Sequence, residues 1–170
     1  MQRPDPSEHA PYYGKYISLV PETDVLAAME SQLDATLAFL RSLPPSAGAK
    51  RYAPGKWSVC EVVGHIIDTE RVFTGRALHF ARNAPGALPG MEQDEWNAAA
   101  RYASVNLHDL ATEFEHARRS DILLYRHLPD DAWSARGTAS GVEFTVRSLA
   151  FMTLGHERHH LDVLRTKYLP

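Results

Sequence analysis

Apolar residues recur along this chain at the spacing of helices rather than of strands. Leu26, Met29, Leu33, Leu37 and Leu40 share one side of a helical wheel, with Glu30, Gln32, Asp34 and Arg41 on the other faces. The run stops at Pro44-Pro45, because proline lacks the amide hydrogen that a continuing helix needs. A second stripe, Val59, Val62, Val63, Ile66, Phe73, Ala77 and Phe80, begins at Ser58-Val59-Cys60-Glu61. That spacing predicts a capping box, in which Glu61 reaches back to the Ser58 amide. The stripe ends near the turn-forming Asn83-Ala84-Pro85-Gly86. A third segment runs from about Leu107 to Leu128, where Leu107, Leu110, Phe114, Ala117, Leu124 and Leu128 keep a seven-residue rhythm that only Asp121 breaks. The fourth starts at a Thr145 cap and continues to about Tyr168. Val146, Leu149, Met152, Thr153, His156, His160, Val163 and Leu164 lie along one of its sides.

Between the second and third helices, residues 86–103 predict a loop carrying a short helix around Glu92–Arg101. The irregular run from Pro129 to Phe144 predicts a small hairpin. Four amphipathic helices of about 20 residues would each span about 30 Å. The expected fold is therefore all-α, a four-helix bundle whose long connectors leave room for crossovers. A length of 170 residues suits one domain over 1–170, with 1–21 as an N-terminal extension and a core covering about 22–169.

Composition narrows the chemistry. A single Cys excludes an intramolecular disulfide, four-cysteine zinc ribbons, CxxC redox sites and clusters held by several thiolates. Lys+Arg 18 against Asp+Glu 21 gives a formal charge of −3, which argues against a nucleic-acid partner. The first twenty residues carry three prolines and several charges, and no stretch approaches the ~18 apolar residues of a membrane span. The expected location is the cytoplasm, with no membrane partner. Nine histidines remain, and imidazole is the chemistry to follow.

The sharpest motif is Gly155-His156-Glu157-Arg158-His159-His160. His156 and His160 are four apart on a predicted helix, so their rings stack on one face inside an apolar stripe. Two buried imidazoles need partners for their ring nitrogens. One metal ion would satisfy a nitrogen of each; core polar groups or a water-filled gap are the alternatives. The string also spells H-E-x-x-H, the zinc-peptidase signature. Those peptidases generally take a further ligand downstream, and LDVLRTKYLP offers only Asp162, on another face. A peptidase is not expected. An upstream ligand is needed, and His65, near the margin of the second stripe, is the best placed. His9, His79, His108, His116 and His127 fall on polar flanks or loops. His159 sits about 60° from His156 on the side away from His160, facing either substrate or solvent.

Around these rings, Asp68, Glu70 and Glu157 are candidates to orient the ligating imidazoles, and Glu157 to act as a general base. Arg76 follows His65 by three turns, within about 20°, and could bind a substrate carboxylate or form a surface salt bridge. Cys60 reads as packing, so a reacting thiol would arrive with the substrate.

The string Tyr52-Ala53-Pro54-Gly55-Lys56-Trp57-Ser58-Val59 followed by Gly64-His65-Ile66-Ile67-Asp68-Thr69-Glu70 resembles the DinB-like superfamily of helical bundles. So do Leu88-Pro89-Gly90-Met91-Glu92 through Trp96 with Arg101-Tyr102, and Gly155 to Leu161. The similarity extends from Leu26 to the C-terminus. It implies a four-helix bundle holding a divalent metal, zinc or nickel, on His65, His156 and His160. It also implies kinship with bacillithiol- or mycothiol-dependent transferases and isomerases and with proteins described as metal-dependent hydrolases, among which homodimers are common. Three neutral imidazoles would leave open positions for activating water or a thiol. The expected function is thus a metal-dependent enzyme acting on a small molecule with a low-molecular-weight thiol or water. The competing reading is a non-catalytic, stress-associated metal-binding bundle. No catalytic residue is assigned.

Overall fold

The computed structural model describes residues 2–169, and positions 1 and 170 of the expected domain lie outside the described residues. Helices form where local caps start them. Asp24 caps α2 (Val25–Ser42) by accepting the Ala27 amide at 3.1 Å, after a single-turn α1 (Gly14–Ile17). Ser58 caps α3 (Val59–Ala81) with the expected box: the Glu61 amide donates to Ser58 Oγ, and the Ser58 amide to Glu61 Oε2 at 2.7 Å. A short α4 (Gln93–Ala100) precedes α5 (Leu107–Arg126), capped by Asn106. Thr145 and Ser148 form a second box at the start of α6 (Val146–Val163), which continues as a wider π-type turn over Leu164–Tyr168. The expected hairpin is β1 (Arg136–Ala139) against β2 (Val142–Thr145), antiparallel with Ala139 opposite Val142. Its turn, Ser140-Gly141, has φ of 55° and 75°, the signs that a two-residue type I′ connection requires.

The four long helices α2, α3, α5 and α6 make the bundle, with α3 against α6 the most extensive pairing. The helix α6 is buried on nearly all sides from Val146 to Glu157, because α1 and the hairpin cover faces that three bundle neighbours would leave open. Tyr16, Ile17 and Val20 are correspondingly buried, so the N-terminal segment is part of the core packing. Gly155 makes this approach feasible. A Cβ there would stand 2.0 Å from the Tyr16 carbonyl oxygen, which is backbone and cannot swing aside. Gly155→Ala is expected to destabilise the fold by about 1–3 kcal/mol, read from chemical denaturation midpoints, while Gly75→Ala, with open space around it, costs little or stabilises.

Two apolar clusters fill the bundle. One includes Met29, Phe73, Phe80, Ile122 and Leu149; the other includes Leu33, Val63, Leu110, Phe114 and Leu164. A polar layer crosses the waist between them, one residue or more from each long helix. Arg118 of α5, fully buried, donates through Nε to Glu70 Oε1 of α3 at 2.5 Å and through Nη2 to Glu157 Oε2 of α6 at 2.8 Å. From α2, Gln32 and Thr36 each donate to Glu157 at 2.5 Å. This layer corrects the reading of α5. Its buried face runs Leu107, Leu110, Ala111, Phe114, Arg118, Ile122, Tyr125, while Ala117, Asp121 and Leu124 are only half-buried. A straight helix drifts about 20° per heptad from a strict seven-residue repeat, and the core position at the drift point is taken by a charge. No described helix is long and apolar enough to cross a membrane.

Candidate metal centre

His65 projects from α3, and His156 and His160 from adjacent turns of α6. Among the described residues these three are the one group of His, Cys, Asp or Glu whose ligating atoms converge, all within 4.8 Å of one another. His65 Nε2 and His160 Nε2 each lie 3.1 Å from His156 Nε2. Aromatic rings enclose the cluster. The Trp57 ring centre is 5.0 Å from that of His65, Tyr16 is 5.3 Å from His156, and Phe73 is 6.2 Å from His156. Desolvation in this setting pushes His65 down to about 4. It acts likewise on His160, with His65 adding repulsion, to about 3, and it holds His156 well below its usual value. All three are therefore neutral near pH 7, each with a nitrogen lone pair to share. Nitrogens bound at about 2.0–2.1 Å to one ion, at octahedral to tetrahedral angles, sit about 2.8–3.4 Å apart. The donor set fits a single divalent cation.

Two of the three imidazoles, His65 and His156, line a cavity of about 510 Å³. Tyr13 and Tyr16 of the N-terminal segment, Val72, Phe73 and Arg76 of α3, and the acidic start of α4 line the rest. Sequence reasoning missed the tyrosines, which lie in a segment without helical periodicity. Arg76 is buried, and its Nη2 donates to the Pro89 carbonyl at 2.9 Å and to Ser140 Oγ at 3.0 Å. Its surface-salt-bridge reading is thereby excluded: no carboxylate lies within 4.0 Å among the described residues.

The carboxylates expected beside the imidazoles are employed elsewhere. Asp68 accepts from the Tyr102 hydroxyl at 2.8 Å, and Glu70 and Glu157 belong to the Arg118 layer. Glu157 is one residue from His156, yet about 100° round the helix from it, and is fully buried. It cannot serve as a base at this cavity. The one polar side chain near a ring nitrogen of His65 outside the cluster is Thr69, with Oγ1 3.4 Å from Nδ1. His159 stays at the edge, half-buried, its ring centre 5.6 Å from that of Tyr16. Gly64, preceding His65, lets the Tyr102 ring lie where a Cβ would be, 2.1 Å from the ideal position.

The sequence model of the DinB superfamily matches residues 28–164, which takes in all four bundle helices and the three histidines. The chain belongs to the DinB superfamily. No curated protein matches the sequence. Solved structures resemble this DinB protein in fold. YfiT from Bacillus subtilis, described as a probable metal-dependent hydrolase with an unusual four-helix bundle topology, aligns with TM-score 0.68 at 17% identity, covering 96% of this chain and 91% of YfiT. A mycothiol-dependent maleylpyruvate isomerase aligns at 0.66 and 16% identity over 86% of this chain, which spans 62% of the isomerase's length. A DinB-like protein from Bacillus subtilis aligns at 0.61 and 16%, covering 86% of this chain and 90% of its own. At such identities the likeness establishes the shared bundle.

Proposed function

We propose that this DinB protein is a metal-dependent enzyme acting on a small molecule, with one divalent cation, zinc or nickel, held by His65, His156 and His160. The observation that carries the reading is the convergence of three neutral imidazoles, 3.1 Å between neighbouring nitrogens, two of which line a substrate-sized cavity. When bound, such an ion keeps coordination positions open and supplies Lewis acidity to an incoming water or thiol.

The chain's own residues do the rest. Trp57, Tyr16 and Phe73 keep bulk water from the imidazoles, and Thr69 sits where it can steer the His65 ring. Cys60 takes no part as nucleophile: burial raises its thiol, which donates to the Val105 carbonyl. A reacting thiol therefore enters as a ligand. The fold neighbours, a probable metal-dependent hydrolase and a mycothiol-dependent isomerase, support chemistry of the hydrolase or thiol-transfer kind.

Elemental analysis of purified protein is expected to give close to one divalent metal per chain. A cobalt-substituted sample is expected to gain a sulfur-to-cobalt charge-transfer band when a small thiol is added. A spectrum indifferent to every thiol and to pH would replace this reading with a non-catalytic metal-binding bundle.

A further inference from the structure

We propose that Arg76 binds the carboxylate of an elongated, singly charged organic acid whose other end reaches the imidazole cluster; the inference rests on reading that cluster as the reaction centre. Two arginines are buried in the described chain, and their surroundings are opposite. Arg118 has two carboxylates in contact, whereas Arg76, 5% exposed, has none. A buried cation without a counter-ion is costly, and an anion entering from the cavity removes that cost. Both of its hydrogen bonds go through Nη2, to Pro89 and Ser140. Nε and Nη1 have no partner among the described residues. The fork is thus fixed in place with its remaining donors free, and Arg76 is the one Lys or Arg side chain that lines the cavity.

Ligand length and charge follow from the walls. His65 and Arg76 are eleven residues apart on α3, about 16 Å of rise, shortened because the long Arg76 side chain leans further toward the N-terminus, and so toward His65, than the shorter imidazole does. The wall between them is made of Thr69, Val72 and Phe73, which suits an apolar middle section. Glu92, Asp94 and Glu95 at the start of α4 also line the cavity. They disfavour a second negative charge. A two-carbon acid could not touch both ends, and a polyanion would meet the acidic wall.

The test is calorimetric titration of the full chain, metal-loaded and after chelation. The ligands are straight-chain and ω-phenyl carboxylic acids of about six to ten carbons, each against its own primary amide. At least one acid is expected to bind about tenfold or more tighter than its amide, and Arg76→Gln to abolish that preference without changing metal content. Arg76→Lys keeps the charge but loses the fork; it should weaken acid binding about threefold or more, and it serves if Arg76→Gln does not fold. No preference for any acid, or a preference that survives Arg76→Gln, overturns the proposal. A preference lost on chelation with Arg76 intact also overturns it, since the anion would then sit on the ion. If the protein holds no metal but the Arg76-dependent preference stands, the proposed function fails and this inference does not.

Discussion

Replacing Arg118 by Met should cost about 3–5 kcal/mol of folding stability at pH 7, the largest single-residue effect expected in this chain. The guanidinium is shut from solvent and neutralises Glu70 and Glu157, which are themselves buried. Removing it leaves two carboxyl groups that must either remain charged in a low-dielectric layer or take up protons. Glu70 is already near that point: burial pushes it up to about 7, against the pull of Arg118 and with Glu157 repelling it. The guanidinium itself is disfavoured by burial, but Glu157 and Glu70 more than offset this and keep it protonated.

The pH dependence gives the sign. A carboxyl whose folded value lies above its unfolded value of 4.5 leaves stability intact below 4.5 and lowers it as the pH climbs through about 7. In Arg118→Met the pull of the guanidinium on Glu70 is lost and that carboxyl moves further up, so the deficit against the wild-type chain should narrow at pH 5. Glu70→Gln, which cannot ionise, should remove the wild-type loss between pH 4.5 and 7. Urea unfolding followed by circular dichroism at pH 5 and pH 7 decides the matter. A deficit below about 1 kcal/mol at pH 7, or one that does not narrow at pH 5, would mean that the layer is not held by charge pairing.

The second large effect concerns the imidazoles. His65→Ala, His156→Ala and His160→Ala are each expected to drop bound metal from near one per chain to a small residue, because on the proposed reading all three imidazoles hold the ion together. The wild-type chain should also gain about 2.7 kcal/mol when free metal reaches one hundred times its dissociation constant, and each variant should gain almost nothing. His65 and His156 are 91 positions apart, so the unfolded chain does not bring them to one ion and binding favours the folded state alone. Thermal melts with and without chelator, beside elemental analysis, read this out. Full metal retention by any one variant removes that histidine from the centre.

Much of this architecture is legible in the residues. Capping boxes at Ser58 and Thr145 could be read because their hydrogen bonds join residues three apart, and the stripes of α2, α3 and α6 because burial follows apolar spacing. His65 could be grouped with His156 and His160 because the i, i+4 pair needs a further partner and His65 lies near the margin of its helix's apolar stripe, where facing helices of a bundle meet. The polar waist was not legible. A buried Arg118 looks, in sequence, like any solvated arginine, and only the apposition of four helices reveals its partners. The carboxylates failed for an angular reason: Glu157 is adjacent to His156 in sequence and points to another side of the helix. The tyrosines of residues 12–16 gave no signal, since nothing periodic in that segment says which helix it will cover.

Gly64 and Gly155 each stand one position before an imidazole, and each lets another part of the chain come closer than any side chain would permit. That gives a rule for comparing distant members of the superfamily. A sequence may keep all three histidines and still carry a bulky residue at either glycine. It would then preserve the centre while losing the close approach of Tyr16, which lines the cavity, or of Tyr102, which packs on α3 behind His65. The histidines would track whether the chemistry is inherited, and the glycines whether the shape of the chamber, and hence the choice of substrate, is inherited with it.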